Sequence, residues 1–301
     1  MTVLEIGVIL PSIAVQRREG LDLQTAAGHA EDLGLDSVWH GDHLATGVPT
    51  LDCTIALATA AATTRRIRIG ASVFVPAIRP LAWAAKQIAS LQYVSQGRLL
   101  LGIGSGFVPA QWAAAGVPYA ERGQRTDTAL ELLPRLLAGE PVRLRHEPGQ
   151  PSIELTPAVP RPPFWIGNAS TVAIRRAARR GDGWFPSVLS ARDVAAGAVR
   201  LAELAATHGR PTPTITVGAT GVLGVGTDLP TREEIAGDLS QSYGMPPEQA
   251  VTIPITGGPP EAAQRLADYH AAGARHLVMG FSGGDWRRQC ELLTEARALL
   301  A

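Results

Sequence analysis

The chain has 301 residues, with 27 basic and 27 acidic side chains, so its formal net charge at pH 7 is zero. A chain of this length can bury roughly three quarters of its unfolded surface and needs neither disulfides nor metals for stability. The neutral charge and the lack of a basic run argue against a nucleic-acid-binding protein. No apolar run reaches the roughly 18 residues of a membrane span, and the first ten residues lack a basic leader and a cleavage site. We therefore expect neither a membrane segment nor a signal peptide.

Cysteine and lysine usage bear on the possible chemistry. Cys53 and Cys290 lie far apart and match neither a zinc-binding pattern nor a disulfide framework, so we expect reduced thiols in a cytoplasmic protein. Lys86 is the only lysine, which leaves one candidate for Schiff-base catalysis or for a lysine clamp on phosphate. Its segment, 81–91, has helical spacing, which favours a position on a helix surface.

Short, nearly continuous apolar runs alternate with helical patterns along the chain, as is typical of strands buried on both faces of a parallel sheet. The predicted strands are Val3–Leu10, Asp36–His40, Ile67–Val75, Arg98–Ile103, Phe164–Gly167, Trp184–Val188, Ile215–Val225 and His276–Phe281. The predicted helices lie near 21–34, 51–63, 81–94, 121–138, 171–181, 191–208, 260–272 and 285–300. Gly34, Gly181 and Gly273 follow helices, where glycine serves as a left-handed cap. The alternation predicts an α/β fold, a (β/α)₈ TIM barrel, with a doubly wound open sheet as the alternative.

Two segments are longer than ordinary barrel loops. The first, 140–163, follows a helix and precedes a strand, which places it on the bottom face of a barrel. The second, about 226–258, follows the seventh strand and would lie on the top face, where barrel active sites form. It contains a helix candidate at 231–241. Because no linker is evident, we predict a single domain over 1–301 with an insertion at about 226–258.

Titratable and aromatic side chains follow the second strand, in the segment Val38-Trp39-His40-Gly41-Asp42-His43-Leu44. His43 or His40 can transfer a proton near neutral pH, and Asp42 can fix a tautomer or bind a ligand hydroxyl. The spacing of these residues also resembles that of metal ligands. Further ligands are missing at other strand ends, since the remaining histidines fall on helices, at a strand start or in 140–163.

The fourth strand ends in Leu101-Gly-Ile-Gly-Ser-Gly-Phe107, whose glycines allow a ligand or a neighbouring backbone to approach closely. Phe107 stands where the third glycine of a dinucleotide-binding fingerprint would be, so a Rossmann site is disfavoured. We interpret the segment as facing a planar cofactor.

A third candidate site lies in 165–176, where a strand is followed by a small polar turn and a helix that starts near Ser170 or Thr171. Exposed N–H groups and two hydroxyls at such a helix start form a natural phosphate site. An ordinary N-cap explains the serine and threonine equally well.

Taken in order, these segments make the chain similar to the bacterial luciferase-like monooxygenase superfamily. The resemblance rests on 35–43, 66–80, 91–106, 116–123 and 177–184, and it covers most of 3–188 and resumes at 259–300. The segments are most similar to the branch that uses the deazaflavin coenzyme F420, whereas sister branches use reduced FMN.

The resemblance implies a barrel, usually homodimeric, with the cofactor ring across its top. His43 matches the proton-transfer histidine, and Asp42 matches a cofactor-contacting acid. Ser72 and Val73 match a bulge beneath the ring that contains a non-proline cis peptide. The remaining matched cofactor contacts are Ser105 and Gly106 toward the cofactor tail and Gly167, Asn168, Ala169, Ser170 and Thr171 in the phosphate turn. Trp39, Phe107, Trp112 and Tyr243 suggest an aromatic-lined pocket, in which we expect Trp39 and Phe107 to contact the cofactor.

Phe107 occupies the place where some deazaflavin dehydrogenases carry an acid, and 108–112 lacks the acidic pair of relatives. This argues against a sugar-phosphate dehydrogenase mechanism. We predict F420-dependent hydride transfer to or from a small apolar organic substrate. The first alternative is a reduced-FMN-dependent monooxygenase that is supplied by a separate flavin reductase. The others are a non-catalytic flavin-binding barrel and a metal-dependent hydrolase using His40, Asp42 and His43.

Overall fold

The computed structural model describes residues 4–45 and 47–300. In chain order, its strands are β1 (Glu5–Ile9), β2 (Ser37–His40), β3 (Arg68–Phe74), β4 (Leu99–Ile103), β5 (Val142–Arg143), β6 (Ser152–Ile153), β7 (Phe164–Gly167), β8 (Gly183–Phe185), β9 (Thr214–Leu223), β10 (Ile255–Gly257) and β11 (Ala274–Phe281). Its α-helices are α1 (Ile13–Glu19), α2 (Leu23–Asp32), α3 (Cys53–Thr63), α4 (Leu81–Val94), α5 (Pro109–Ala114), α6 (Arg122–Leu137), α7 (Thr171–Arg180), α8 (Ala191–Thr207), α9 (Arg232–Tyr243), α10 (Pro247–Ala250), α11 (Pro259–Ala271) and α12 (Trp286–Ala298). Short 3₁₀ turns occupy Pro76–Ile78 and Tyr119–Glu121.

Within the described ranges, eight parallel strands close into a barrel in the order β1, β2, β3, β4, β7, β8, β9 and β11, with β11 paired to β1. Each predicted strand and helix has its counterpart, so the predicted (β/α)₈ barrel is confirmed and the open sheet is wrong. Val3, the predicted start of the first strand, lies outside the described residues. The short elements α1, α5, α10, β5, β6 and β10 were not predicted. No helix of the described residues is long and apolar enough to cross a membrane.

Large side chains fill the barrel interior because glycines on neighbouring strands make room for them. Trp39 is fully buried and packs with Leu100, Trp165, Phe185 and Val278. A Cβ at Gly70 would lie only 2.1 Å from the Trp39 ring, and one at Gly183 would lie 2.1 Å from the Trp165 ring. The interior is therefore a packed core rather than a pore, as expected for this fold.

A polar cluster lies within this core. The indole N–H of Trp39 donates to the Ser37 hydroxyl at 2.7 Å, and that hydroxyl also bonds to Nε2 of His276 at 2.8 Å. Burial, with a smaller contribution from the Arg68 guanidinium, lowers the pKa of His276 to about 3. His276 is therefore neutral at physiological pH.

The sequence suggested that segment 140–163 lies on the bottom face of the barrel. The structure shows that the segment extends beyond that face. Its β5–β6 hairpin reaches the start of α4, which lies toward the top face. There the Glu147 carboxylate accepts the Leu81 N–H, 3.1 Å away. The chain then descends along α4, where the Pro160 carbonyl accepts the Gln92 amide at 3.0 Å. The contact with Glu147 supplies an acceptor that α4 otherwise lacks, because its N-cap residue, Pro80, has no side-chain acceptor.

The segment 226–258 follows the seventh barrel strand, β9, and contains α9, α10 and β10. Thr231 caps α9 in a capping box with Glu234, as the predicted helix start suggested. Strand β10 adds to the barrel sheet by pairing in parallel with Gly221–Leu223 at the end of β9. The segment is thus anchored at the top face. The division of the chain into domains stays a prediction.

Candidate functional site

A cavity of about 1610 Å³ lies at the carboxyl ends of the barrel strands. Its lining combines residues that follow β2, β4 and β7 with residues of β3, α5 and α9. Pockets that bind a single drug-sized ligand usually measure about 300–1,000 Å³. This cavity can therefore hold a large planar cofactor together with a second small molecule.

Asp42 lies at the cavity edge, but neighbouring groups already bind its carboxylate. Arg79 donates to both carboxylate oxygens, at 2.8 and 2.6 Å, and the Val75 N–H donates at 2.8 Å. The Asp42 side chain is only 5% exposed, and the Arg79 guanidinium also stacks over the Phe74 ring at 4.5 Å. The aspartate thus fixes the turn after β2 against the end of β3.

The two histidines of this turn differ in their surroundings. His43 lines the cavity, and neither ring nitrogen has a hydrogen-bond partner among the described residues. His40 lies outside the cavity lining, and its Nδ1 bonds to the Gly41 carbonyl oxygen at 2.8 Å. Burial lowers the pKa of His40 below its ordinary value of 6.5, and the neighbouring His43 adds to this effect. His43 is therefore the histidine that is available to a ligand.

Val73 forms part of the cavity floor, in the irregular part of β3 between Ala71 and Phe74. The peptide bond between Ser72 and Val73 is cis, as the family resemblance implies. Three glycines surround the Val73 side chain, and a Cβ at Gly102, Gly104 or Gly167 would lie 2.9, 2.4 or 2.8 Å from its methyl carbons. The glycines at the end of β4 are thus needed to seat Val73, and any cofactor would lie on the surface that they create together.

The phosphate turn predicted from the sequence has the geometry of a helix start. Ser170 is the N-cap of α7 and accepts the Ala173 N–H at 3.3 Å, while the Asn168 side chain accepts the Ser170 N–H at 2.7 Å. Asn168 has a φ of 84° and is held by the Trp184 indole, which donates to its carbonyl oxygen at 2.9 Å. Gly167, Asn168 and Ser170 line the cavity.

Arg176, six residues beyond Ser170 on α7, was not predicted as a site residue. It lines the same end of the cavity and donates to the Ser105 hydroxyl at 3.1 Å. Its other nitrogens bond to Asp127 and to the Gly123 carbonyl oxygen, which fixes the guanidinium. This end of the cavity thus combines the start of α7 with an arginine whose charge is paired with Asp127.

The cavity brings together most of the predicted site residues but not all of them. It is lined by Asp42, His43, Ser72, Val73, Ser105, Gly106, Phe107, Gly167, Asn168 and Ser170. Trp39, Ala169 and Thr171 are not among its lining residues. Trp39 was expected at the rim but points into the barrel core and is fully buried, so its expected contact with a cofactor does not fit its location.

Three of the four aromatic side chains expected in the pocket wall, Phe107, Trp112 and Tyr243, line the cavity, and Trp39 does not. Phe107 and Tyr243 are 64% and 55% exposed, whereas Trp112 is buried and packs against Tyr119. Tyr243 comes from α9, so the segment 226–258 supplies part of the cavity wall. Among the described residues, no three His, Cys, Asp or Glu side chains are grouped so that they could hold a metal ion.

Comparison with known proteins places the chain in a family. The model of the luciferase-like monooxygenase family matches residues 18–251. The chain therefore belongs to the luciferase-like monooxygenase family, which confirms the resemblance seen in the sequence.

Individual relatives match over shorter stretches. The F420-dependent glucose-6-phosphate dehydrogenase of Beutenbergia cavernae is 34% identical over 167 residues, which cover 52% of this chain and 49% of that protein. The 4-hydroxyprotoasukamycin monooxygenase of Streptomyces nodosus subsp. asukaensis is 35% identical over 115 residues, 37% of this chain and 31% of that protein. The matched part of the chain thus spans about half the length, or less, of these curated relatives.

A solved structure with the same fold is an F420-dependent secondary alcohol dehydrogenase in complex with an F420–acetone adduct. It superposes with a TM-score of 0.83 over 99% of both chains, at 16% sequence identity. This likeness confirms the barrel fold over nearly the whole chain.

Proposed function

We propose that this protein is an oxidoreductase that uses the deazaflavin coenzyme F420 for hydride transfer to or from a small, apolar organic substrate. The observation that carries the proposal is that one cavity of about 1610 Å³ joins the unpaired His43, the Val73 floor and the start of α7. The F420-dependent relatives and the resemblance in the sequence favour the deazaflavin over other cofactors.

The residues present fit such a cofactor. The N–H groups at the start of α7 and the guanidinium of Arg176 would hold its phosphate, because helix N-termini and arginine both favour anions. The glycines around Val73 leave a low floor on which a flat ring can lie, with Gly106 at a φ of 64° beside Phe107. Asp42 would act indirectly, since its carboxylate is engaged by Arg79.

When bound, the deazaflavin supplies or accepts a hydride. The chain's own contribution is to bind the substrate in the aromatic-lined part of the cavity, to exclude water and to exchange a proton. His43 is the proton-exchanging group, since its imidazole nitrogens have no partner among the described residues and are free to bond to a substrate oxygen. Asp42 and Arg79 keep the turn that carries His43 in place.

A reduced-FMN-dependent monooxygenase is the second candidate, and its substrate would again be a small organic molecule. The relative from Streptomyces nodosus supports it, as does Phe107, an apolar residue where some deazaflavin dehydrogenases carry an acid. A monooxygenase of this kind would depend on a separate flavin reductase as a partner. The non-catalytic flavin-binding barrel differs from both candidates in having no turnover.

Cofactor titration followed by fluorescence tests these alternatives. Purified protein is titrated with F420 and with FMN, and we expect micromolar or tighter binding of F420. His43→Ala should bind the cofactor within about twofold of wild type but lose about 10²–10⁴-fold in turnover on a substrate found by screening ketones and alcohols. The exposed His208→Ala is the matched control. Failure to bind either cofactor would refute the proposal, and full turnover by His43→Ala would refute the proton role.

We also propose a cytoplasmic homodimer. Both cysteines are free and buried, as suits a reducing compartment. The helices α3 and α4 expose four large apolar side chains that a second copy would cover, Ile55, Trp83, Tyr93 and Val94, and of these Trp83 also borders the cavity. Sedimentation equilibrium should give twice the chain mass, and a monomer mass for the wild type would contradict the homodimer.

A further inference from the structure

Gln111 is a buried polar residue in the cavity wall that the sequence did not single out. It lies on α5, lines the cavity and is only 7% exposed. Its carbonyl oxygen Oε1 accepts the Leu44 N–H at 3.0 Å. The side chain therefore ties α5 to the turn that carries His43, the residue directly before Leu44.

This bond orients the amide. Because Oε1 faces the Leu44 N–H, the two N–H donors on Nε2 are directed elsewhere, and they have no acceptor among the described residues. Nε2 keeps some solvent exposure, so its donors are open to the cavity that Gln111 lines. A ligand oxygen in the cavity would supply the missing acceptor.

The next residue on α5 also carries an N–H donor without a partner, but this donor is fully enclosed. Trp112 is 1% exposed, lines the same cavity, and its Nε1–H is buried without a partner among the described residues. Nε1 lies beneath Gly106, where a Cβ would approach it to 2.8 Å. Trp112 Nε1 is enclosed, so Gln111 supplies the donors that reach the cavity, and they suit a ligand oxygen that accepts, as a carbonyl oxygen does.

We propose that Gln111 binds the carbonyl oxygen of the substrate beside His43, so that the oxidised substrate is a ketone, an aldehyde or an enone. This assignment rests on the proposed function. In the reductive direction, a hydride from the reduced cofactor forms the new C–H bond and the carbonyl π pair moves to oxygen. A proton from His43 then forms the O–H bond, and the products are an alcohol and the oxidised cofactor.

The test uses two probes of the same shape, cyclohexanone and methylenecyclohexane, which differ in having a carbonyl oxygen or a CH₂ group. Their dissociation constants are measured at pH 8 by ligand-observed NMR, with and without F420. We expect wild type to bind the ketone about tenfold more tightly, which corresponds to about 1.4 kcal/mol. Gln111→Glu keeps the acceptor for the Leu44 N–H but replaces the donors with a carboxylate oxygen, so the preference should disappear.

Two further variants separate binding from folding and charge. Gln111→Met keeps the volume without either hydrogen bond and should also lose the preference, so the test does not depend on one variant folding. Gln24→Glu, on the exposed face of α2, makes the same charge change outside the cavity. This variant should keep the preference for the ketone. Equal affinity of wild type for both probes, or a preference retained in Gln111→Glu, would overturn the assignment. Failure to bind F420 or FMN would instead count against the proposed function alone, because the probes are also measured without cofactor.

Discussion

Replacing Gly104 with alanine tests the claim that the glycines of β4 exist to seat Val73. The new Cβ would lie 2.4 Å from Cγ2 of Val73 and 3.5 Å from its Cβ, and the first distance is closer than two carbons can approach. The valine cannot turn away easily, because Gly102 and Gly167 also lie against its methyl groups. We therefore expect Gly104→Ala to destabilise the fold by overpacking, which typically costs about 1–3 kcal/mol.

A double-mutant cycle isolates the contact. Val73→Ala removes the two methyl groups that meet the new Cβ and, because the side chain is only partly buried, should by itself cost at most about 1.6 kcal/mol, at about 0.8 kcal/mol for each methyl group. In that background we expect Gly104→Ala to cost less than about 0.5 kcal/mol. The two substitutions should thus be coupled by about 1–2 kcal/mol, within the range for residues in direct contact.

Equilibrium unfolding in urea measures each free energy from the midpoint and the slope. Gly28, in the middle of α2, is a matched control because a Cβ added there would meet nothing within 4 Å. Gly28→Ala should leave stability unchanged or raise it by up to about 1 kcal/mol, because alanine favours helix. If the losses in unfolding free energy for Gly104→Ala and Val73→Ala were additive, the two side chains would not be in contact. The claim that Gly104 makes room for Val73 would then be wrong.

The remaining predictions concern His276 and Arg176. Because the pKa of His276 is about 3 in the folded protein and near 6.5 when unfolded, its contribution to stability is complete above pH 6.5 and declines as the pH falls toward 3, by up to about 5 kcal/mol. As the pH is lowered from 7 to 4, the urea midpoint should fall less steeply for His276→Gln than for wild type or the exposed His208→Gln. Parallel profiles of the three proteins would refute the role of His276 in the pH dependence of stability. Arg176→Gln should weaken binding of F420 or FMN about tenfold and reduce its salt dependence, whereas the exposed Arg175→Gln should not. Equal affinities of the two arginine variants would exclude Arg176 from the anion site.

The fold was predictable because its signals are local. Continuous apolar runs marked the buried strands, and side chains such as Ser170 marked helix starts that the structure confirms. Gly34 and Gly273 have the positive φ expected of caps, at 70° and 103°. The same expectation was wrong for Gly181, whose φ is −85°. Glycine suits that position because a Cβ would lie 3.0 Å from Ala177 Cα, a constraint of packing rather than of backbone conformation.

The site was less predictable because its contacts join distant parts of the chain. Asp42 was recognised, but its partner Arg79 is 37 residues away and no local pattern connects them. The glycine-rich end of β4 suggested a close approach, but only the structure shows that Val73 makes it. Trp39 was placed at the rim because it comes near a strand end, whereas the alternation of side chains along β2 directs it into the barrel with Ser37.

The contact between Glu147 and the start of α4 has a consequence for how the barrel can be divided. Barrels of this class are often regarded as strings of interchangeable strand–helix units. Here the third unit depends for its first helical turn on an acceptor 66 residues downstream, beyond the fourth strand. During synthesis, that helix end stays unsatisfied by protein groups until the hairpin has left the ribosome. A chimaera that exchanges half-barrels at a boundary between α4 and β5 would take α4 and Glu147 from different parents. Fusion points should therefore be chosen after residue 163.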